Sequence, residues 1–296
     1  MTIALGAMCL DGVVLAVDLQ HTTDIVKTAG QKLFVLTPSY RPELNYSVIV
    51  AGARNADSVR KAVETMEETV SDRFSGRTPA LKELKKALQD SLEIVFREHI
   101  DFAPPEERAD LHFDLLIAIR IASSCHLFRT NRTMLIQEKS TACIGIGLYF
   151  ANYAAEEFLV RNPTVEIAAQ VATYIISRAS TYIEGIGKGA DIHVLRSDGR
   201  HYSFMKPERE SVEQRFEKLF AAFRNLLRCV DVASTPDEGI QYWNNLVLQE
   251  ITELRNLQTR RAEIRQISEQ RDPESPTHGQ QSLRPLPESP GGSDES

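Results

Sequence analysis

The chain has 296 residues, 42% of them hydrophobic and 25% charged, with a formal net charge of −7. This length allows one large or two modest domains with a core of their own, in an ordinary composition for a globular protein. The acidic balance excludes a nucleic-acid footprint, and no window approaches about 18 uninterrupted apolar residues, so no membrane span is expected.

The first eighteen residues read as an apolar strand, an Asp11-Gly12 turn and a second apolar strand ending in Asp18. Asp-Gly between hydrophobic runs is a hairpin signal because both turn positions then take φ > 0. Almost nothing precedes the first strand. A hydroxyl side chain and a chain terminus therefore share one spot, and loss of Met1 would give Thr2 a free α-amine beside its own hydroxyl. Such an amine has an ordinary pKa of roughly 7.7–8.0, near working pH, where a general base is most effective, and it is a recognised activator of a Thr hydroxyl. The blander reading is that Thr2 is merely the residue after the start Met. The N-terminus lacks the basic region of a secretory signal, which predicts a cytoplasmic location.

His21-Thr22-Thr23-Asp24 follows as a polar segment, then Ile25-Val26 and a strand bearing Lys32. Residues 39–45, with two prolines, suggest a surface loop. Val48–Ala51 is a continuous apolar run suited to a strand buried on both faces. Asn55 or Asp57 can cap a helix from about Ser58 to Phe74, which Gly76 ends. Thr78, with Pro79 at the first helical position, predicts a second helix with Leu81, Leu84, Leu88, Leu92 and Val95 on its apolar face. Residues 112–121 predict a buried strand, and shorter strands follow at 126–128, 133–137 and 141–144. Gly145-Ile146-Gly147 lacks the third Gly and the setting of a nucleotide loop. Two helices follow, at about 149–160 and 165–182, then strands at 192–194 and 201–205 around Ser197-Asp198-Gly199.

From Glu208 an amphipathic helix is expected, then a long helix from about 236 to 270, read either as an arm or as a solvated helix closing the core. Residues 272–296, rich in Pro, Ser, Gly and Glu, predict disorder. Cys9, Cys125, Cys143 and Cys229 form no Cys-x-x-Cys pair and read as small core hydrophobes of a reducing compartment. His112 and His126 flank strands, and the seven histidines show no ligand spacing. No metal and no cofactor is expected.

The Asp11–Asp18 segment, the Lys32 strand, Val48–Gly52 with Ala56-Asp57, Cys143–Gly147, and Gly189–Val194 with the 197–199 turn stand in the order seen in the proteasome subunit family. The chain resembles that family and its simpler bacterial relatives among the N-terminal-nucleophile hydrolases. The resemblance implies an α+β fold, a four-layer αββα sandwich over residues 1–206, with a helical extension at 207–271 and the tail at 272–296. It implies Thr2 as nucleophile, Asp18 as the acid pairing Lys32, Lys32 as the cation lowering the proton affinity of Thr2, and the Gly52 N–H as oxyanion donor. His21, Thr22 and Thr23 are candidate substrate-pocket residues, with a plain loop as the equal alternative. Two departures stand out. Ile146 replaces the serine of the family's Gly-Ser-Gly turn, and Glu184, Gly187, Lys188 and Gly189 stand where catalytic members carry Asp-x-x-Ser-Gly-Gly.

The implied function is a threonine peptidase acting on peptides or unfolded protein within a self-assembled ring or stack. The alternatives are a non-catalytic structural subunit of the same fold and a non-peptide amidase of the same superfamily.

Overall fold

A computed structural model describes residues 2–23, 26–29, 31–36, 44–159, 161–228 and 237–271. In chain order the strands and helices begin with β1 (Ile3–Cys9), β2 (Gly12–Asp18), β3 (Gln20–Thr23), β4 (Val26–Ala29), β5 (Leu33–Val35), β6 (Tyr46–Arg54), α1 (Ala56–Phe74) and α2 (Leu81–Val95). After a π-turn at Phe96–Ile100 come α3 (Arg108–Leu111), β7 (Phe113–Ile121), β8 (Ser124–Asn131), β9 (Met134–Glu138), β10 (Thr141–Gly145), α4 (Leu148–Phe158) and α5 (Val165–Tyr182). The chain continues through β11 (Ala190–Arg196), β12 (His201–Ser203), α6 (Lys206–Arg228) and α7 (Asp237–Arg271). The fold is therefore α+β, with seven α-helices among the described residues. Cys229 and the segment 272–296 lie outside them.

Two five-stranded antiparallel sheets carry the structure, in the orders β10-β1-β2-β11-β12 and β5-β6-β7-β8-β9; β3 and β4 form a separate ribbon. Side chains alternate across a strand, so each sheet has two faces to bury. In β6, Ile49 and Ala51 join a cluster shared with Leu15, Leu116 and Ile144 of both sheets. Val48 and Val50 join another cluster with α1 and α2 residues such as Met66 and Leu88. Ile3, Leu5 and Val14 pack with α4 and α5 residues such as Ala151, Ala172 and Ile176. Both faces of these antiparallel strands are dry, which is why the sequence shows continuous apolar runs instead of alternation.

Local expectations meet the structure unevenly. Asn55 caps α1, its Oδ1 accepting from Ser58 N–H at 2.8 Å. Thr78 does not cap α2: its hydroxyl accepts from Asn45 N–H at 3.1 Å. The cap position falls on Ala80, whose N–H donates to the Glu83 carboxylate at 2.9 Å. The first hairpin forms, but not by the turn the Asp-Gly pair suggests. Cys9 pairs with Gly12, so the loop is Leu10-Asp11, and neither Asp11 nor Gly12 has positive φ. Gly12 is needed for room instead, because a Cβ there would lie 2.4 Å from the Leu195 carbonyl oxygen. Asp11 turns inward to tertiary partners. It accepts from Val165 N–H at the start of α5 at 2.9 Å and pairs with Arg196 at 2.6 Å. The polar segment after Asp18 forms a strand, β3, with its backbone paired to β4.

Beyond β12, α6 packs on α5 through aromatic rings. Tyr174 stacks on Phe220 with centroids 4.5 Å apart, and Phe216 lies 5.0 Å from Tyr174. Arg215 of α6 reaches Glu250 and Glu253 of α7, each at 3.2 Å. Leu254 and Glu250 are buried. The near part of α7 thus closes over the body.

Candidate active site

The β1–β2 hairpin places Thr2 beside the end of β2, and antiparallel pairing brings the base of β1 next to Asp18. Asp18 is fully buried. Its Oδ1 accepts from Ile3 N–H at 3.0 Å, and its Oδ2 accepts from Gly187 N–H at 2.9 Å and from Lys32 Nζ at 2.9 Å. Two backbone amides and an ammonium thus hold the carboxylate in its ionised, acceptor-only form. Lys32 sits in the connection just before β5 and is 2% exposed. Burial pulls its pKa below the ordinary lysine value, against the opposing charge and hydrogen bond of Asp18.

Thr2, 3% exposed, shares a crevice with Gln31, Lys32, Gly52, Arg54 and Val59. The crevice is only about 10 Å³, room for about one water molecule. The Thr2 carbonyl oxygen accepts from Ile146 N–H at 3.0 Å. This bond requires the Gly145 turn: Gly145 has φ +91°, and a Cβ there would stand 2.1 Å from that oxygen. Gly52 lines the crevice, but its N–H donates to the Lys32 carbonyl at 3.0 Å. Its lack of a side chain also serves packing, since a Cβ would meet Val59 of α1 at 2.2 Å. The Ile146 side chain is half exposed.

Thr2, Asp18, Lys32 and Gly52 therefore meet at one place. His21, Thr22 and Thr23 lie on β3, which follows directly from Asp18, and their side chains lie outside what the structure describes. Sequence reasoning missed the amides of Ile3, Gly187 and Ile146, since every non-proline residue carries such a donor and none is marked by its side chain. It also missed Arg54, which lines the crevice with φ +75° and pairs with Asp114. A non-glycine residue in the left-handed region is uncommon and collects at functional positions. Among the described residues no group of three His, Cys, Asp or Glu side chains could hold a metal ion, and no helix is long and apolar enough to cross a membrane.

The fold so built is proteasome-like. Solved structures that share it include Anbu (ancestral beta-subunit) from Yersinia bercovieri, at 14% identity and TM-score 0.62, covering 79% of this chain and 98% of that one. An Anbu Gly-1 mutant from Hyphomicrobium sp. strain MC1 matches at 13% identity and TM-score 0.62, covering 78% and 100%. The helical assembly of the Anbu complex from Pseudomonas aeruginosa matches at 15% identity and TM-score 0.63, covering 80% and 99%. No family model matches the chain, and no curated protein does.

The assignment to the proteasome subunit family is corrected accordingly: the structural neighbours are Anbu proteins, and the likeness is one of fold. The physical reason lies in the residues that carried the resemblance. Gly12 and Gly145 are glycines because a carbonyl oxygen passes too close for a Cβ. Val48–Ala51 is apolar because both its faces are covered. Such features mark a way of packing two sheets, which distant chains share without belonging to one family.

Proposed function

We propose that this protein is a threonine-type amide hydrolase, with polypeptide as its substrate, built on a four-layer αββα sandwich spanning residues 1–206 and extended by helices at 207–271. The observation that supports it best is the buried Lys32–Asp18 pair at 2.9 Å, opening on the same one-water crevice as Thr2. Taking two charges out of water is costly unless further hydrogen bonds repay it, and a buried pair beside a hydroxyl is a common way to tune a nucleophile. After loss of Met1, the Thr2 amine would take the hydroxyl proton through the single water, and Thr2 Oγ1 would attack the carbonyl carbon. Lys32 would stabilise the alkoxide, with Asp18 fixing its charge and direction. The proton passes to the leaving amine, and a second water then releases the acyl group from Thr2.

Gly52 would hold the oxyanion by sharing its N–H or by releasing the Lys32 carbonyl. A reducing, cytoplasmic setting accords with the free thiols of Cys9, Cys125 and Cys143. Assembly of several copies is proposed from the fold alone, in company with the Anbu helical assembly.

One rival reading is a structural subunit without chemistry. The occupied Gly52 N–H and the small crevice favour it. Intact mass separates the two. Loss of Met1, with an adduct at Thr2 from a peptide carrying an electrophilic ketone or lactone, supports the hydrolase; retained Met1 and no adduct support the structural role. In the hydrolase, Thr2→Ala abolishes turnover of a fluorogenic peptide while the particle size by light scattering stays the same. Turnover that persists in that variant removes Thr2 from the chemistry.

A further inference from the structure

The largest opening near the site is not the Thr2 crevice but a cleft of about 450 Å³ beside it, within the usual range of ligand pockets. Arg54 lines both spaces. All five residues of β10 line the cleft, and Gly145 at the end of β10 is the residue packed against the Thr2 carbonyl. The cleft therefore leads along one strand directly to the proposed nucleophile.

That strand is an edge. β10 pairs only with β1. Met8 N–H donates to the Ser140 carbonyl at 2.7 Å, and Ile146 N–H donates to the Thr2 carbonyl at 3.0 Å. Residues of an antiparallel ladder alternate between bonding their neighbour and facing away from it. With the register running from Ala7↔Thr141 to Ile3↔Gly145, Ala142 and Ile144 bond to β1. The N–H and C=O of Thr141 and Cys143 point the other way, toward the cleft. A row of unpaired strand groups is a template for another extended chain. The rest of the lining suits a polar segment of mixed charge: Arg54 pairs with Asp114, and Arg129 pairs with Glu138 at 3.0 Å. Two cations and two anions cancel, so the cleft selects for backbone and not for net charge. Apolar lining, which would favour a compact hydrophobic ligand, is sparse.

We infer that the open edge of β10 binds the substrate as an extended polypeptide segment, laid down as an added strand whose end reaches Thr2. This deepens the proposed function by naming the form of the substrate, and it rests on that reading. A compact amide could use the Thr2 crevice but not the edge.

The test uses full-length Thr2→Ala protein, so that binding is read without cleavage. The probe is a fluorescein-labelled, unstructured decapeptide of mixed charge, followed by anisotropy, alongside the same peptide N-methylated at every central amide. The unmodified peptide is expected to bind and to slow hydrogen exchange at the Thr141 and Cys143 amides. The methylated peptide is expected to bind at least about tenfold more weakly, since several hydrogen bonds are lost together. Thr141→Pro removes one cleft-facing N–H at the first residue of an edge strand, a position that tolerates proline, and should weaken the unmodified peptide in the same direction. Equal binding of both peptides, binding without slowed exchange in β10, or no binding at all would overturn the inference. Slow exchange at these amides in the protein alone, rising with its concentration, would also overturn it by showing a second copy on the edge. A Thr2 adduct in the native protein without β10 binding leaves the hydrolase standing and removes this site. β10 binding without any adduct removes the link to hydrolysis.

Discussion

Asp18 is the residue whose loss should be felt most. It accepts three hydrogen bonds with no exposure to water, so Asp18→Asn leaves the Lys32 ammonium buried without its counter-charge. Breaking one partner of a buried pair typically costs about 3–5 kcal/mol, and urea unfolding should show a loss of that order. Replacing Lys32 by Met in the same chain should recover part of it; failure to recover any would mean that the ion pair is not what Asp18 stabilises.

His201 offers a second residue-scale test. Burial, with the nearby charge of His193, lowers its pKa to about 4. Its ring stands against His193, with Nδ1 of His193 and Nε2 of His201 3.0 Å apart. Asp191 faces His193, and Arg209 of α6 faces Asp191 at 3.6 Å. Because the folded pKa lies below the ordinary 6.5, the unfolded chain binds more protons between the two values. The contribution to stability is full above about pH 6.5 and is lost as pH falls through about 4. At 1.36 kcal/mol per pH unit that amounts to roughly 3 kcal/mol. His201→Gln should flatten the fall in urea midpoint over that range, and an unchanged slope would assign the fall to other groups.

Among the elements, α6 depends on a few rings. Phe220 touches Tyr174 face to face and Phe158 edge-on, at 4.5 and 5.6 Å between centroids. Phe220→Ala should cost about 2 kcal/mol, toward the low end for an aromatic truncation because the ring is only half-buried. It should also speed limited proteolysis between residues 206 and 236 while leaving the sheet core resistant. Equal protection of α6 in the variant would show that α7, through Arg215 and Gln170, holds it without the rings. The caps make a related point. Asn55 and Thr164 were legible as helix starts because their neighbours in sequence supply the helix. Thr78 misled because Asn45, 33 residues away, claims its hydroxyl.

On the scale of the whole molecule, the division into a two-sheet body and a helical extension is itself a proposal. Val212, Ala222 and Leu254 are buried beyond residue 206, so the extension shares the body's apolar surface. A chain ended at residue 206 should keep its strand signal in far-UV circular dichroism yet self-associate, because Tyr174 and the α5 face beneath α6 are uncovered. A monodisperse, equally stable product by light scattering would make the extension independent.

The sequence alone determined which segments become strands and helices, because long apolar runs and helical spacing report local burial directly. It also marked Thr2, Asp18 and Lys32 as residues to bring together. The tertiary structure alone decided the rest: that Gly12 and Gly145 answer to passing carbonyls, that Asp18 is held by the amides of Ile3 and Gly187, and that β10 keeps an open edge beside Thr2. Backbone donors are the same at almost every residue, so only the path of the chain through space assigns them their partners.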